Sequence, residues 1–164
     1  MKKVMISSAG SDDLTCWGAG MTQDKTIKIS LLDRSLYYKS LMILIRMDHY
    51  IHDEEKKMMM KIGKMLGFDP KFCRNTMADI LDNDFITDAP PVFSETSIAL
   101  CFIRDGLKLS AADGQIHKAE MTWLSSVAEK NGIGKLLAEE LDRFHAWQHA
   151  GISDGAFELN HFKW

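Results

Sequence analysis

Asp113-Gly114-Gln115-Ile116-His117-Lys118-Ala119-Glu120 has the composition of a joint between two helices. Gly114 can adopt the positive φ that ends a helix at little steric cost. Glu120, three residues after His117, suits the first turn of a new helix, where unpaired backbone N–H groups and the helix dipole favour a carboxylate. The stretch therefore predicts a helix–turn–helix joint with a carboxylate on each side of the turn.

The same joint occurs earlier in the chain, as Asp48-His49-Tyr50-Ile51-His52-Asp53-Glu54-Glu55. Its Asp, Ile, His and Glu recur in the later copy at a constant offset of 65 residues. The register continues through the apolar positions and the terminal glycine, as Met59 and Leu124, Ile62 and Val127, and Gly67 and Gly132. We infer an internal repeat, because chance rarely preserves so many positions in one register.

The apolar periodicity predicts an all-α fold, a helical bundle of two pseudo-symmetric halves. The two halves cover about residues 30–82 and 94–149, within one helical domain at 30–150, and the Pro-containing stretch 82–92 connects them. Ser30 and Ser94 are predicted to cap the first and fourth helices. Residues 1–29 are expected to form an irregular N-terminal arm, and the apolar tail 151–164 to pack on the bundle or on a partner. The predicted helices are 31–47, 53–66, 70–81, 94–111, 118–131 and 134–149.

Composition excludes several classes of protein. The net charge of −3 over 164 residues gives no case for a nucleic-acid binder, which needs a concentrated basic patch. The densest apolar run, residues 41–45, is too short for membrane insertion, and the polar stretch 7–13 does not fit a signal peptide. Three widely spaced cysteines favour reduced thiols, so we expect a cytoplasmic protein.

The later joint resembles the signature of the tellurite-resistance protein B (TerB) family, in Asp113-Gly114-x-Ile116-x-x-x-Glu120 followed by an apolar helix that ends at Gly132. The earlier joint, Asp48-x-x-Ile51-x-x-x-Glu55, is similar to the corresponding half, and the resemblance covers about residues 35–145. It implies a helical bundle with internal two-fold similarity, in a cytoplasmic bacterial protein tied to tellurite or general stress resistance. A metal-chelating role is suggested for the acidic residues of that family, and no established catalytic activity comes with it. The domain also occurs fused to membrane-bound co-chaperones, which implies partners in a membrane-associated stress-response assembly.

One departure from this pattern concerns the first turn, where His49 stands in the place of Gly114. Histidine tolerates left-handed backbone better than most residues, so the turn can survive. If the turn is lost, the two halves are not equivalent and no symmetric site forms.

The acidic residues of the joints allow two interpretations. If Asp48, Glu55, Asp113 and Glu120 converge, their charges require a divalent cation or bound protons. Oxygen ligands alone would favour Ca²⁺, Mg²⁺ or Mn²⁺, whereas adding His52 or His117 would shift the preference towards Mn, Fe or Zn. In the structural interpretation both glutamates cap helices and both aspartates end them, because caps are far commoner than metal sites.

Other candidate sites find less support. A carboxylate-bridged dimetal bundle would need acids in the middle of two further helices, and these are missing. His145 and His149, four residues apart, have no third ligand nearby and suit the C-terminus of a helix. The cysteines have no neighbouring histidine in sequence, so no catalytic residue is predicted.

Two functional hypotheses follow. The first is a non-catalytic, TerB-like, stress-related module that binds a divalent cation and other proteins. The alternative is a protein–protein adaptor with purely structural acids, in which the tail aromatics Phe157, Phe162 and Trp164, together with Met60, would dock a partner or form a homodimer. A metal-dependent enzyme is the least supported reading, since it needs an open coordination position beside a pocket.

Overall fold

Helices dominate the described part of the chain. The computed structural model describes residues 26–83, 85–151 and 156–164. Most of the predicted arm, with Cys16, lies outside these ranges. The predicted all-α class is confirmed, since the remaining regular structure in the described ranges is two short 3₁₀ turns and one pair of two-residue strands. The helices are α1 (Leu31–Ile45), α2 (Asp53–Met65), α3 (Pro70–Ile80), α4 (Thr96–Ser110), α5 (Lys118–Lys130) and α6 (Leu137–His149).

The helix boundaries repeat at the offset seen in the sequence. Helices α1 and α4 start and end 65 residues apart, and so do α2 and α5. The third helix of each copy differs, because α6 is preceded by a 3₁₀ turn at Gly134–Leu136 whereas α3 starts directly at Pro70 after the N-cap Asp69. Local sequence explains this difference, since Gly134 and Lys135 stand at the positions of Asp69 and Pro70. The second copy therefore lacks both the capping carboxylate and the proline that is preorganised for an α-helix.

The predicted cap at Ser94 is wrong. Glu95 occupies the N-cap position of α4, while the backbone N–H and hydroxyl of Ser94 donate to the Asp33 carboxylate at 3.1 and 2.8 Å. Burial alone would raise the pKa of Asp33, but hydrogen bonds from Ser30 and Ser94 lower it below its usual value. Asp33 therefore ties the start of α4 to the start of α1, where Ser30 caps the helix as predicted.

One core joins the two copies. Helix α1 packs against α2 and α3 of its own copy and against α4 and α5 of the other. The Tyr37 ring, fully buried on α1, lies against the rings of Phe93, Phe102 and Phe162. Large buried aromatic rings account for much of the stabilisation of such a core.

The C-terminal segment completes this core. Phe162–Lys163 (β2) pairs in parallel with Ile27–Lys28 (β1), and a 3₁₀ turn at Glu158–His161 precedes it. Phe157 and Phe162 are buried in the bundle, whereas the alternative hypothesis of an adaptor needs them on the surface. Trp164 is the one of the three that is exposed. Met60 is also packed partly against the core. Phe157 and Phe162 therefore stabilise the bundle itself and are not free for a partner.

Candidate functional site between the two joints

Both joints adopt the same unusual turn. His49 has a φ of 65° and Gly114 a φ of 105°, so the substitution of histidine for glycine leaves a left-handed residue at the same place. In each joint the aspartate Oδ1 accepts the backbone N–H two residues on, from Tyr50 at 2.9 Å and from Gln115 at 3.2 Å. These Asx turns fix the two carboxylates and leave each Oδ2 directed elsewhere.

The Oδ2 atoms of Asp48 and Asp113 lie close to the histidines of both joints. Asp113 Oδ2 lies 3.3 Å from His117 Nε2 and 3.4 Å from His52 Nε2. Asp48 Oδ2 lies 3.7 Å from His117 Nε2 and 3.8 Å from His52 Nε2. Each imidazole thus contacts the aspartate of its own copy and that of the other. We call Asp48, His52, Asp113 and His117 the joint cluster.

The two imidazoles of the joint cluster are parallel. Their ring planes differ by 5° and their centroids are 6.3 Å apart. Potential ligand atoms of Asp48, His52 and His117 all lie within 4.8 Å of one another. The histidine side chains are about one-third exposed, at 35% and 33%, so an ion can reach the cluster from solvent.

The two glutamates lie behind the cluster, at the helix starts. Glu55 Oε2 accepts the backbone N–H of His52 at 2.8 Å, and Glu120 Oε2 accepts that of His117 at 2.9 Å. The helix-capping role considered for these residues is therefore confirmed. Both side chains are buried, and burial, the largest cause, raises the pKa of each to about 7. The negative charge of Asp48 also raises both pKa values, while the capping hydrogen bonds lower them.

Charge within the cluster favours imidazolium and carboxylate together. The hydrogen bond to Asp113 raises the pKa of His117, against the smaller opposing effect of burial. Burial would raise the pKa of Asp113, but hydrogen bonds from Gln115 and His117 and the two imidazole charges bring it below its usual value. The cluster can therefore hold protons as ion pairs, or exchange those protons for a cation.

Of the six residues predicted as metal ligands, the structure brings four into one cluster, in which each histidine lies within 4 Å of both aspartates. The pattern of the repeat located all six, but it could not show that each histidine would contact both aspartates. Sequence reasoning also missed Tyr50, whose ring lies edge-on to His52 with centroids 4.6 Å apart. Its place between the turn residue His49 and the buried Ile51 was the available signal.

These features define an all-α domain with a duplicated joint and a histidine–carboxylate cluster between the two copies. Comparisons with protein families, curated proteins and solved structures found no match for this chain. Each helix of the described residues is too short or too polar to traverse a bilayer.

Proposed function

We propose that this chain is a non-catalytic, TerB-like interaction module that binds one divalent cation at the joint cluster, within a cytoplasmic bacterial stress-response assembly. The TerB-like character is supported by the doubled Asp-x-x-Ile-x-x-x-Glu motif. The binding of a cation is supported by the approach of two aspartates and two histidines to one another across the repeat.

The nitrogen-to-oxygen distances carry the proposal. Zinc bonds of about 2.0–2.2 Å place the ligand atoms of a tetrahedral site roughly 3.3–3.6 Å apart. The four distances between imidazole nitrogens and carboxylate oxygens in the cluster run from 3.3 to 3.8 Å. Small side-chain movements would therefore close the shell, with Asp48, His52 and His117 as ligands and Asp113 as the fourth.

The donor set indicates which cation binds. Two imidazole nitrogens and two carboxylate oxygens suit Zn²⁺ or Mn²⁺ better than Ca²⁺ or Mg²⁺, which prefer oxygen alone. Glu55 and Glu120 remain helix caps in this proposal, and their negative charges, when ionised, add to the attraction for a cation.

Thermal unfolding with added cations tests the proposal. At a free Zn²⁺ concentration of about one hundred times the dissociation constant, binding stabilises the fold by about 2.7 kcal/mol. We expect the melting temperature to rise by roughly 8 °C at pH 7.5, and by less at pH 5.5, where protons compete for His117. An unchanged melting temperature with Ca²⁺, Mg²⁺, Mn²⁺ and Zn²⁺ would refute cation binding.

Asn substitutions provide the matched variants. Asp48→Asn and Asp113→Asn keep the amide oxygen that accepts the turn N–H but lose the negative charge, so each should abolish most of the Zn²⁺ effect. Asp53→Asn is the control, because the Asp53 side chain is 83% exposed and pairs with Lys56 outside the cluster. An equal rise in melting temperature with Zn²⁺ for all three variants would show that the cation binds elsewhere.

A further inference from the structure

A groove with an apolar floor runs between α2 and α3, beside the first joint. It encloses about 560 Å³. Met60 and Met77 line it between the helices, and Tyr50 and Leu81 line it with 59% and 44% of their surface exposed. Exposed apolar side chains that line one concavity are typical of a binding surface rather than of scattered surface residues.

A second cavity of about 310 Å³ adjoins the groove at Leu81. Most of its lining side chains are polar, so the apolar surface is that of the groove between α2 and α3. An open apolar groove between two helices suits a helical occupant, whereas a compact small molecule needs an enclosing pocket.

The second copy of the repeat serves as an internal reference. At the same offset of 65 residues, Met60 corresponds to Ser125 and Tyr50 to Gln115. The second copy forms its joint and α5 with these polar residues in place, so the fold does not require apolar side chains there. The apolar character of the groove in the first copy therefore calls for another explanation.

Positive charge borders the groove in a chain whose net charge is −3. Lys56, Lys57 and Arg74 all line it. The two lysines form pairs with Asp53 at 3.1 Å and Glu54 at 2.8 Å, but these pairs are exposed and therefore weak. Within the described residues, Arg74 makes no hydrogen bond or ion pair. The rim can thus attract a negatively charged partner.

We propose that this groove docks an acidic amphipathic helix of a partner protein. Large aliphatic side chains on one face of that helix occupy the floor between Met60 and Met77, since flexible methionines adapt to varied apolar shapes. Its flanking glutamates and aspartates meet Lys56, Lys57 and Arg74. The proposal does not depend on cation binding at the joint cluster.

A synthetic peptide tests the proposal with the 164-residue chain. The probe is an acetylated 16-residue helix with leucines at i, i+3, i+4 and i+7 and glutamates on either side of that face. In methyl NMR spectra, the Met60 and Met77 signals should shift on addition of the peptide, whereas Met121, at the position equivalent to Lys56 on α5, should not. A peptide of the same composition with scrambled leucines should bind at least tenfold more weakly, because its apolar face is lost.

Variants separate charge from apolar contact. Lys57→Glu combined with Arg74→Glu, and separately Met60→Ser, should each weaken binding about tenfold, which is about 1.4 kcal/mol. Lys118→Glu changes an exposed charge on α5 outside the groove, so it should change the affinity for the peptide less than twofold. The melting temperatures of the variants without peptide establish that they fold. Shifts at Met121 instead of Met60, equal binding of a lysine-for-glutamate peptide, or binding of dodecanoate but not of the peptide would each overturn the proposal.

Discussion

Within each joint, the aspartate, histidine and glutamate have different roles. The aspartate Oδ1 holds the turn, its Oδ2 contacts two imidazoles, and the glutamate caps the next helix. Glu55 and Glu120 are buried, whereas the histidines of the joints remain about one-third exposed. The chemistry of the cluster thus rests on the aspartates and histidines, and the glutamates influence it through charge.

The pH dependence of stability should reveal the two buried glutamates. Their pKa values of about 7 in the folded state lie above the usual 4.5. The folded state therefore binds more protons than the unfolded state between pH 4.5 and 7, and stability falls as pH rises through this window. Replacing both glutamates with Gln preserves the two helix caps. The free energy of unfolding should then fall between pH 5 and pH 8 by less than in the wild type, with a difference on the order of 1–3 kcal/mol.

Urea unfolding at pH 5 and pH 8 measures this difference. Glu54→Gln is the control, since the Glu54 side chain is 58% exposed and lies in the same helical turn. The raised pKa of His117 contributes in the same direction, so part of the slope should remain in the double variant. A double variant with the full wild-type slope would show that neither glutamate titrates as described.

At the residue scale, the sequence predicted the composition of the cluster but not its contacts. Repetition of the motif identified Asp48 and Asp113 as equivalent, because side chains at matching positions of a repeat serve matching roles. It could not show which histidine would contact which aspartate, because that depends on how the two joints pack. The capping role of the glutamates was one of two interpretations, since a carboxylate in a first turn suits both.

At the scale of elements, the two copies share helix boundaries but differ in close packing. Gly63 on α2 corresponds to Ala128 on α5. A Cβ at Gly63 would lie 2.5 Å from Cys73 Sγ and 3.2 Å from the Tyr38 ring. The first copy therefore brings α2 closer to α3 than an alanine would allow without movement of the cysteine side chain.

Gly63→Ala should destabilise the protein by about 1–3 kcal/mol through overpacking. Combining it with Cys73→Ala removes the sulfur that the new methyl group meets, so the double variant should be less destabilised than the sum of the single variants. A urea-denaturation double-mutant cycle measures this coupling, with Lys64→Ala as an exposed neighbouring control. Strict additivity would contradict the contact.

Helix ends were predicted to within two residues in most cases, because caps and terminal glycines are local signals. The start of α4 was wrong for a physical reason, since Ser94 uses its hydroxyl for the distant Asp33. A hydrogen bond across 61 residues leaves no local pattern. The groove between α2 and α3 was missed in the same way, because it depends on packing of both helices.

At the scale of the molecule, buried charges hold the C-terminal segment in place. Arg104 binds Glu140 with two hydrogen bonds, at 2.7 and 3.0 Å, and approaches Glu158 at 3.5 Å. Asp105 accepts the backbone N–H of Glu158 at 2.7 Å and the hydroxyl of Tyr37 at 2.8 Å. The tail is therefore part of the folding unit. Deleting the tail would therefore destabilise the bundle, so such a deletion could not separate a role in partner binding from a role in metal binding.

Arg104→Ala should lower the free energy of unfolding by about 3–5 kcal/mol, because it leaves buried carboxylates without their partner. Arg143→Ala is a close control, since Arg143 binds the same Glu140 at 3.2 Å but is 48% exposed, and it should cost less than about 1 kcal/mol. Chemical denaturation of both variants at pH 7 provides the comparison. Similar losses from the two variants would contradict a structural role specific to the buried arginine.

Imidazole NMR during a Zn²⁺ titration tests most directly whether the two joints form one site. The Nε2 signals of His52 and His117 should move together and saturate at one cation per chain, while His145 and His149 on α6 stay unchanged. The same titration of Asp113→Asn should leave both joint histidines unmoved at that ratio. Shifts at His145 and His149 alone, or at only one joint histidine, would contradict a shared site.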